Sequence, residues 1–251
     1  MRARPVAGHN ARVRTSPVGF RAYAHRGGAR EAPENSLAAF RNASSVGICF
    51  LETDVRPTRD GVAVLMHDAR LDRTTDSRGP VHDLTWDRVR RTRLVDGSAP
   101  LRLEELLEEF PDAHVTVDAK EDGSVTAIAD AVRRAQAVSR VCIASFSRQR
   151  LGRLRALLPD AESGAHPWEV ARLRFWPPRS LPRVTRVQVP PTALGMPVAG
   201  DGLLSRARAR GLAVDVWTID APHEMAALLD LGVDGIMTDS PSVLMDVLAH
   251  R

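Results

Sequence analysis

Two pairs of charged residues stand two apart within otherwise apolar runs: Glu52 and Asp54 in "ICFLETDV", and Asp118 and Lys120 in "HVTVDAK". In an extended chain, side chains two apart point to the same face, so each pair presents its charges together. A third run, "RAYAHR", ends in His25 and Arg26, and a fourth, "VAVLMHD", carries His67. Three carboxylates converging from adjacent strands repel one another unless a cation lies between them, which predicts a divalent metal held by Glu52, Asp54 and Asp118. Ligands that are all oxygen favour Mg²⁺ or Ca²⁺ over Zn²⁺ and leave the choice between the two open. His25 and His67 have the intrinsic pKa suited to proton transfer near neutrality. The planar fork of Arg26 suits a phosphate or carboxylate. Lys120 is the only lysine among 35 lysines and arginines. Lysine and arginine are not interchangeable where a compact ammonium is wanted instead of a planar fork, so Lys120 is either a leftover or a residue whose task an arginine does not fit. Metal, arginine, lysine and two histidines around one point describe phosphoryl chemistry better than carbonyl chemistry.

Such a constellation needs strand ends that converge. Eight apolar strand candidates run through the chain: "RAYAHR", "ICFLETDV", "HVTVDA", "RVCIASF", "DAESGA", "RVTRVQV", "LAVDVWTI" and "VDGIMTD". Helical periods lie between them, in "SLAAFRNASSVG" after Asn35, "VTAIADAVRRAQA" after Ser124, "SRQRLGRLRALLP", "HEMAALLDLG" and "PSVLMDVLAH". Sustained β-α alternation means a parallel sheet covered by helices. Eight units in a chain of 251 residues, with no glycine-rich fingerprint after the first strand, favour a closed (β/α)8 TIM barrel over an open doubly wound sheet. The barrel interior is expected to hold branched apolar side chains, and the active site the C-terminal rim. After strand two, Asp60-Gly61 signals a tight turn, so a short inserted hairpin is expected to carry His67 toward the barrel mouth. The proline-rich stretch over residues 161–183 reads as a helix-poor crossover or a partly covering loop.

Composition narrows the class. Hydrophobic residues at 43% and charged residues at 26% describe a soluble globular protein. The net charge of +4 comes from interspersed acids and bases, and aromatic residues at 4% leave little for base stacking, which argues against nucleic acid. Cys49 and Cys142 sit in apolar runs and read as small buried hydrophobes, not as a disulfide framework. Residues 1–19 read as a basic, poorly ordered tail, and residues 20–251 as a single barrel domain. The tail lacks the apolar stretch of a secretory signal and no membrane-spanning run follows, so a cytoplasmic protein without stable membrane insertion is expected.

The motifs "AHRGGAREAPENSLAAF", "LETDVRPTRDGVAVLMHDARLDRTT", "VTVDAK", "VDVWTID" and "GVDGIMTDSP", in that order, closely resemble the glycerophosphodiester phosphodiesterase family over most of residues 20–245. The resemblance implies a (β/α)8 barrel with a small insertion after strand two. It also implies metal-dependent hydrolysis of a glycerophosphodiester, a small molecule, to glycerol 3-phosphate and an alcohol. By the same resemblance, His25 and His67 are the acid/base pair, Arg26 and Lys120 contact the phosphate, and Glu52 and Asp54 are metal ligands. Asp118 stands where the family often has Glu, Trp217 matches a tryptophan lining the pocket, and Glu34 is expected to hold Arg26. Asp220 stands where Asn is commoner, and Ser36 where Thr is.

Three other functions fit parts of the pattern. A lysophospholipase D on the same barrel would want an apolar channel, which Trp168, Phe175 and Trp176 could supply. A Schiff-base enzyme would use Lys120 as its nucleophile, but Asp118 two residues away keeps that amine protonated. An inactive binding barrel would lack a ligand or a histidine, and none is missing.

Overall fold

The computed structural model describes residues 19–176, 181, 183–193 and 195–251. The strands are β1 (Arg21–Ala24), β2 (Phe50–Pro57), β3 (Ala63–Leu65), β4 (His114–Ala119), β5 (Val141–Ala144), β6 (Glu162–Ser163), β7 (Arg186–Val189), β8 (Thr192–Ala193), β9 (Met196–Pro197), β10 (Ala213–Val216) and β11 (Gly235–Thr238). Eight of them form a parallel sheet in the order β6-β5-β4-β2-β1-β11-β10-β7. A single parallel bridge between Gly164 and Arg186 brings its two ends together, so the sheet curls into the expected (β/α)8 barrel. All eight strand candidates occupy it. The tail read over residues 1–19 lies, except for Gly19, outside the described residues.

The helices are α1 (Leu37–Ser45), α2 (Trp86–Val89), α3 (Leu103–Glu109), α4 (Ser124–Arg134), α5 (Arg148–Leu157), α6 (Pro167–Phe175), α7 (Asp201–Arg208), α8 (Pro222–Leu231) and α9 (Pro241–Ala249). Ser36 starts α1 by accepting a hydrogen bond from the Ala39 N–H at 3.1 Å, the usual N-cap arrangement. In α4 the periodic Val125, Ile128, Ala129 and Val132 are buried against the sheet. Pro222 and Pro241 open α8 and α9 at positions where no intrahelical N–H is needed.

Three expectations are corrected. The stretch read as helix-poor contains α6: Pro167 starts that helix instead of breaking it, and His166 and Glu169 cap it reciprocally. Cys49, the residue before β2, is exposed, whereas Cys142 on β5 is buried as expected. The barrel interior is polar as well as apolar. Gln188 on β7 reaches Thr116 on β4 at 3.5 Å, and Tyr23 on β1 donates to Asp215 on β10 at 3.0 Å. Neither pair of strands is adjacent in the sheet, so both contacts cross the interior. The branched residues that alternate with them, Val115, Val117, Val187, Val214 and Val216, join the buried core shared with the helices.

Between β2 and α3 the chain makes an excursion over residues 58–102. It opens with β3, antiparallel to β2 as the turn signal predicted, and Met66, Leu71 and Val81 give it a small core of its own. This fixes the segment that bears His67.

Candidate active site

Each proposed group is aimed by a local device. β1 runs straight into a 3-10 turn, His25–Gly27, in which Arg26 has φ +50°, so consecutive side chains leave the strand axis in different directions. Glu52 and Asp54 share the inner face of β2, as their spacing requires, and Asp118 lies in register with Asp54 on β4. Lys120 and Trp217 immediately follow β4 and β10, and His67 follows β3. His25, Arg26, Glu52, Asp54, His67, Asp118, Lys120 and Trp217 all line one cavity of about 570 Å³ at the C-terminal ends of the strands. Glu34 lies outside the lining and bonds Arg26 Nη1 at 3.3 Å.

The charges interlock. Lys120 Nζ lies 2.7 Å from both Asp54 Oδ1 and Asp118 Oδ2, and Arg26 Nε lies 2.9 Å from Asp54 Oδ2. Burial raises the Asp54 carboxyl pKa, but Lys120 and Arg26 outweigh it and hold that pKa below its ordinary value. Burial likewise opposes the Lys120 charge, and Asp118 and Asp54 overcome it and raise the ammonium's pKa. Glu52 has no such partner: its Oε2 accepts the Arg26 N–H at 3.1 Å, and His25 Nε2 is 3.8 Å away. Burial, with Asp54 beside it, pushes the Glu52 carboxyl up to about 7.

The carboxylate cluster is therefore only partly neutralised by the chain's own cations. Among the described residues, the buried Asp54 Oδ2 and Asp118 Oδ1 accept no hydrogen bond. Buried carboxylate oxygens without a hydrogen bond, one of them held by the Arg26 charge alone, beside a proton-hungry Glu52 fit a hard divalent cation, which takes oxygen ligands of this kind. Among the described residues, no three His, Cys, Asp or Glu side chains converge on a metal position as they stand. The Lys120 ammonium stands between Asp54 and Asp118.

Both histidines are anchored through Nδ1. His25 Nδ1 donates to Asp239 Oδ1 at 2.7 Å, and His67 Nδ1 to Asp68 Oδ1 at 2.8 Å. A carboxylate on Nδ1 fixes the tautomer and leaves Nε2 free for proton transfer. Burial disfavours the His25 imidazolium, but Glu52 and Asp239 together raise its pKa. Asp239 is itself held by its backbone N–H, which donates to Asp220 Oδ1 at 2.8 Å. Asp68 and Asp239 were missed from the sequence. Asp68 follows His67 directly, and Asp239 lies in the quoted "MTDSP" segment, so proximity to motif residues was the available signal.

Much of the remaining cavity wall is apolar, with Phe146, Val170, Phe175, Val198 and Trp217, while Thr116, Ser145, Arg174 and Gln188 add polar groups to it. Trp217 packs edge-on against Phe146, with ring centroids 5.9 Å apart. Of the aromatics expected to form a channel, Phe175 lines the cavity, while Trp168 and Trp176 are exposed outside it.

Residues 25–243 match the Glycerophosphoryl diester phosphodiesterase family. The chain belongs to that family. Its fold and its enzyme class, a phosphoric diester hydrolase, follow. A curated relative from Mycobacterium tuberculosis, "Probable glycerophosphodiester phosphodiesterase 2", is 39% identical over 92% of this chain and 91% of its own length. A glycerophosphodiester phosphodiesterase structure from Agrobacterium tumefaciens superposes with a TM-score of 0.78 at 26% identity, covering 90% of this chain and 99% of its own. An Oleispira antarctica phosphodiesterase, solved in complex with the product sn-glycerol-3-phosphate, shares the fold with a TM-score of 0.78 at 21% identity, over 93% of this chain and 97% of its own. Among the described residues of this family member, no helix is long and apolar enough to cross a membrane.

Proposed function

We propose that the chain hydrolyses glycerophosphodiesters to glycerol 3-phosphate and an alcohol, with His25 and His67 as the acid/base pair and a divalent cation at Glu52, Asp54 and Asp118. The observation that carries the reading is the pair of imidazoles, each fixed at Nδ1 by a carboxylate, lining one cavity with Arg26, Lys120 and the under-neutralised acids. When bound, the cation supplies positive charge to the nonbridging phosphoryl oxygens. Arg26 offers its fork to the same oxygens, and Lys120 adds a compact charge from the β4 side. One imidazole takes the proton of the attacking group, either water or the glycerol's neighbouring hydroxyl, and the other delivers a proton to the departing alkoxide; in the second case water opens the resulting cyclic phosphate in a further step. The P–O bond to the nucleophile forms as the P–O bond to the alcohol breaks, and the two proton transfers leave the product alcohol neutral.

A panel of glycerophosphodiesters, assayed for alcohol release with EDTA and with Mg²⁺ or Ca²⁺ restored, tests both parts. Activity is expected to vanish in chelator and return with the metal. Full turnover in chelator sinks the metal assignment, and no hydrolysis of any phosphodiester sinks the reading itself. The apolar wall of Phe146, Val170, Phe175 and Trp217 supports a second reading, lysophospholipase D, in which an acyl chain lies along that wall. Relative rates on glycerophosphocholine and lysophosphatidylcholine decide between them.

A further inference from the structure

We propose that Arg73 is a positioning residue that locks His67 and Arg26 into one frame; the inference rests on the hydrolytic reading above. Arg73 ends a 3-10 turn, Leu71–Arg73, in the excursion and lies outside the cavity lining. Its Nε donates to Asp68 Oδ2 at 2.6 Å, and its Nη1 and Nη2 donate to the two oxygens of Glu34 at 2.7 and 2.8 Å. The other oxygen of Asp68 takes His67 Nδ1 at 2.8 Å, and Glu34 Oε1 also accepts from Arg26 Nη1 at 3.3 Å. One guanidinium thus grips two carboxylates, and each carboxylate holds one proposed site residue.

The arrangement answers a problem of the fold. Arg26 leaves a barrel strand, whereas His67 sits on the excursion, joined to the barrel through β3. Arg56 fixes the backbone of that segment, with Nε and Nη2 donating to the His67 carbonyl at 3.0 and 2.9 Å. Nothing in that contact orients the imidazole ring. Arg73 does so through Asp68, and its turn is anchored by the fully buried Leu71. Only a planar fork can make the bidentate grip and the Nε contact at once, which a lysine cannot reproduce. Arg73 is 50% exposed, so as an ion pair alone it adds little stability. Its effect is expected in geometry, where loss of a residue supporting a site ligand costs about 10- to 100-fold in activity.

The test is steady-state hydrolysis of a glycerophosphodiester by the metal-loaded full chain, with Arg73→Met, Arg73→Lys, Asp68→Asn, Glu34→Gln and the double variant Arg73→Met/Asp68→Asn. Asp68→Asn is expected to lower mainly kcat and Glu34→Gln to raise mainly KM. Arg73→Met should do both, with Arg73→Lys recovering part of the loss. The double variant should have the kcat of Arg73→Met alone, because the two changes break one linkage. A folded Arg73→Met with kcat and KM within about twofold of wild type overturns the proposal, as do effects that multiply in the double variant. If Arg73→Met does not fold, the same cycle built on Arg73→Lys decides. An independent readout is the His67 Nδ1–H proton resonance, expected to be sharp in wild type and broadened in Arg73→Met or Arg73→Lys. Wild type without turnover would defeat the hydrolytic reading, whereas an unchanged resonance in the variants defeats the role of Arg73 alone.

Discussion

Replacing Lys120 by methionine keeps a stem of similar length and removes the ammonium that lies 2.7 Å from both Asp54 and Asp118. Those carboxylates are 2% and 9% exposed, so neither can turn to water for compensation. Removing one partner of a buried ion pair costs roughly 3–5 kcal/mol, and because Arg26 still faces Asp54 at 2.9 Å the lower end applies, about 3 kcal/mol. For a domain of this size, each kcal/mol shifts Tm by about 2–4 °C, giving a drop of about 6–12 °C. The sign with pH follows from Asp54, whose carboxyl pKa burial raises but Lys120 and Arg26 pull below its ordinary value. A depressed carboxyl contributes stability above its unfolded pKa and loses it as pH falls through the folded value. The deficit of Lys120→Met should therefore be full at pH 8 and fade below about pH 4. The assay is thermal unfolding in EDTA across that range, repeated with Mg²⁺ or Ca²⁺. A divalent cation should raise the Tm of the variant more than that of wild type, since it replaces the missing charge. A variant that melts within about 2 °C of wild type in EDTA at pH 8 would refute the charge argument. Equal metal stabilisation of both proteins would count against a cation at these acids.

His25→Ala and His67→Ala should each lower kcat by about 10²- to 10⁴-fold in initial-rate assays, and a variant within tenfold of wild type loses its acid/base role. Asp239→Asn should cost about 10- to 100-fold, because His25 keeps its hydrogen bond but loses the charged partner that fixes its tautomer; wild-type rates would remove Asp239 from the site. Burial pushes the Asp215 carboxyl up to about 6 against the pull of Arg186 and Arg21, so the folded protein binds the extra proton between the unfolded and folded pKa values. Wild-type stability should then fall by about 3 kcal/mol as pH rises from about 4 to about 6, a fall absent from Asp215→Asn in denaturant titrations. Parallel curves for the two proteins would disprove it.

Most of the strands were legible because they lie in runs rich in Val, Ile or Ala bounded by turn residues, and the charged pairs stood out against those runs; β6, only Glu162–Ser163, carries no such signal. The two-residue spacing of Glu52 with Asp54 gave their common face from sequence alone. Helix α6 was hidden because Pro167 looks like a breaker until its place at the first helical position is known. Helices α3 and α7, with 7 and 8 residues, are too short for their periods to stand out. Lys120 was read as a substrate contact, and the structure adds that its ammonium bridges two acids. What no linear pattern could supply is pairing across the chain: Asp239 meets His25 from 214 residues away, and Arg73 joins Glu34 from 39 away. The polar interior was encoded all along in "RVQV", where Arg186 and Gln188 alternate with Val187 and Val189.

The cavity is split between two arcs of the barrel. The proposed reacting groups come from the contiguous run β4, β2, β1 and β11 with the excursion beside it, while Phe146, Val170, Phe175 and Val198 stand on the far arc, after β5 and flanking β7. Under the proposed hydrolysis, chemistry and selectivity would occupy separate tracts of sequence. Drift in the far arc would then retune which molecule is accepted without disturbing the proposed proton-transfer pair, making the far arc the place for a designer to graft new specificity.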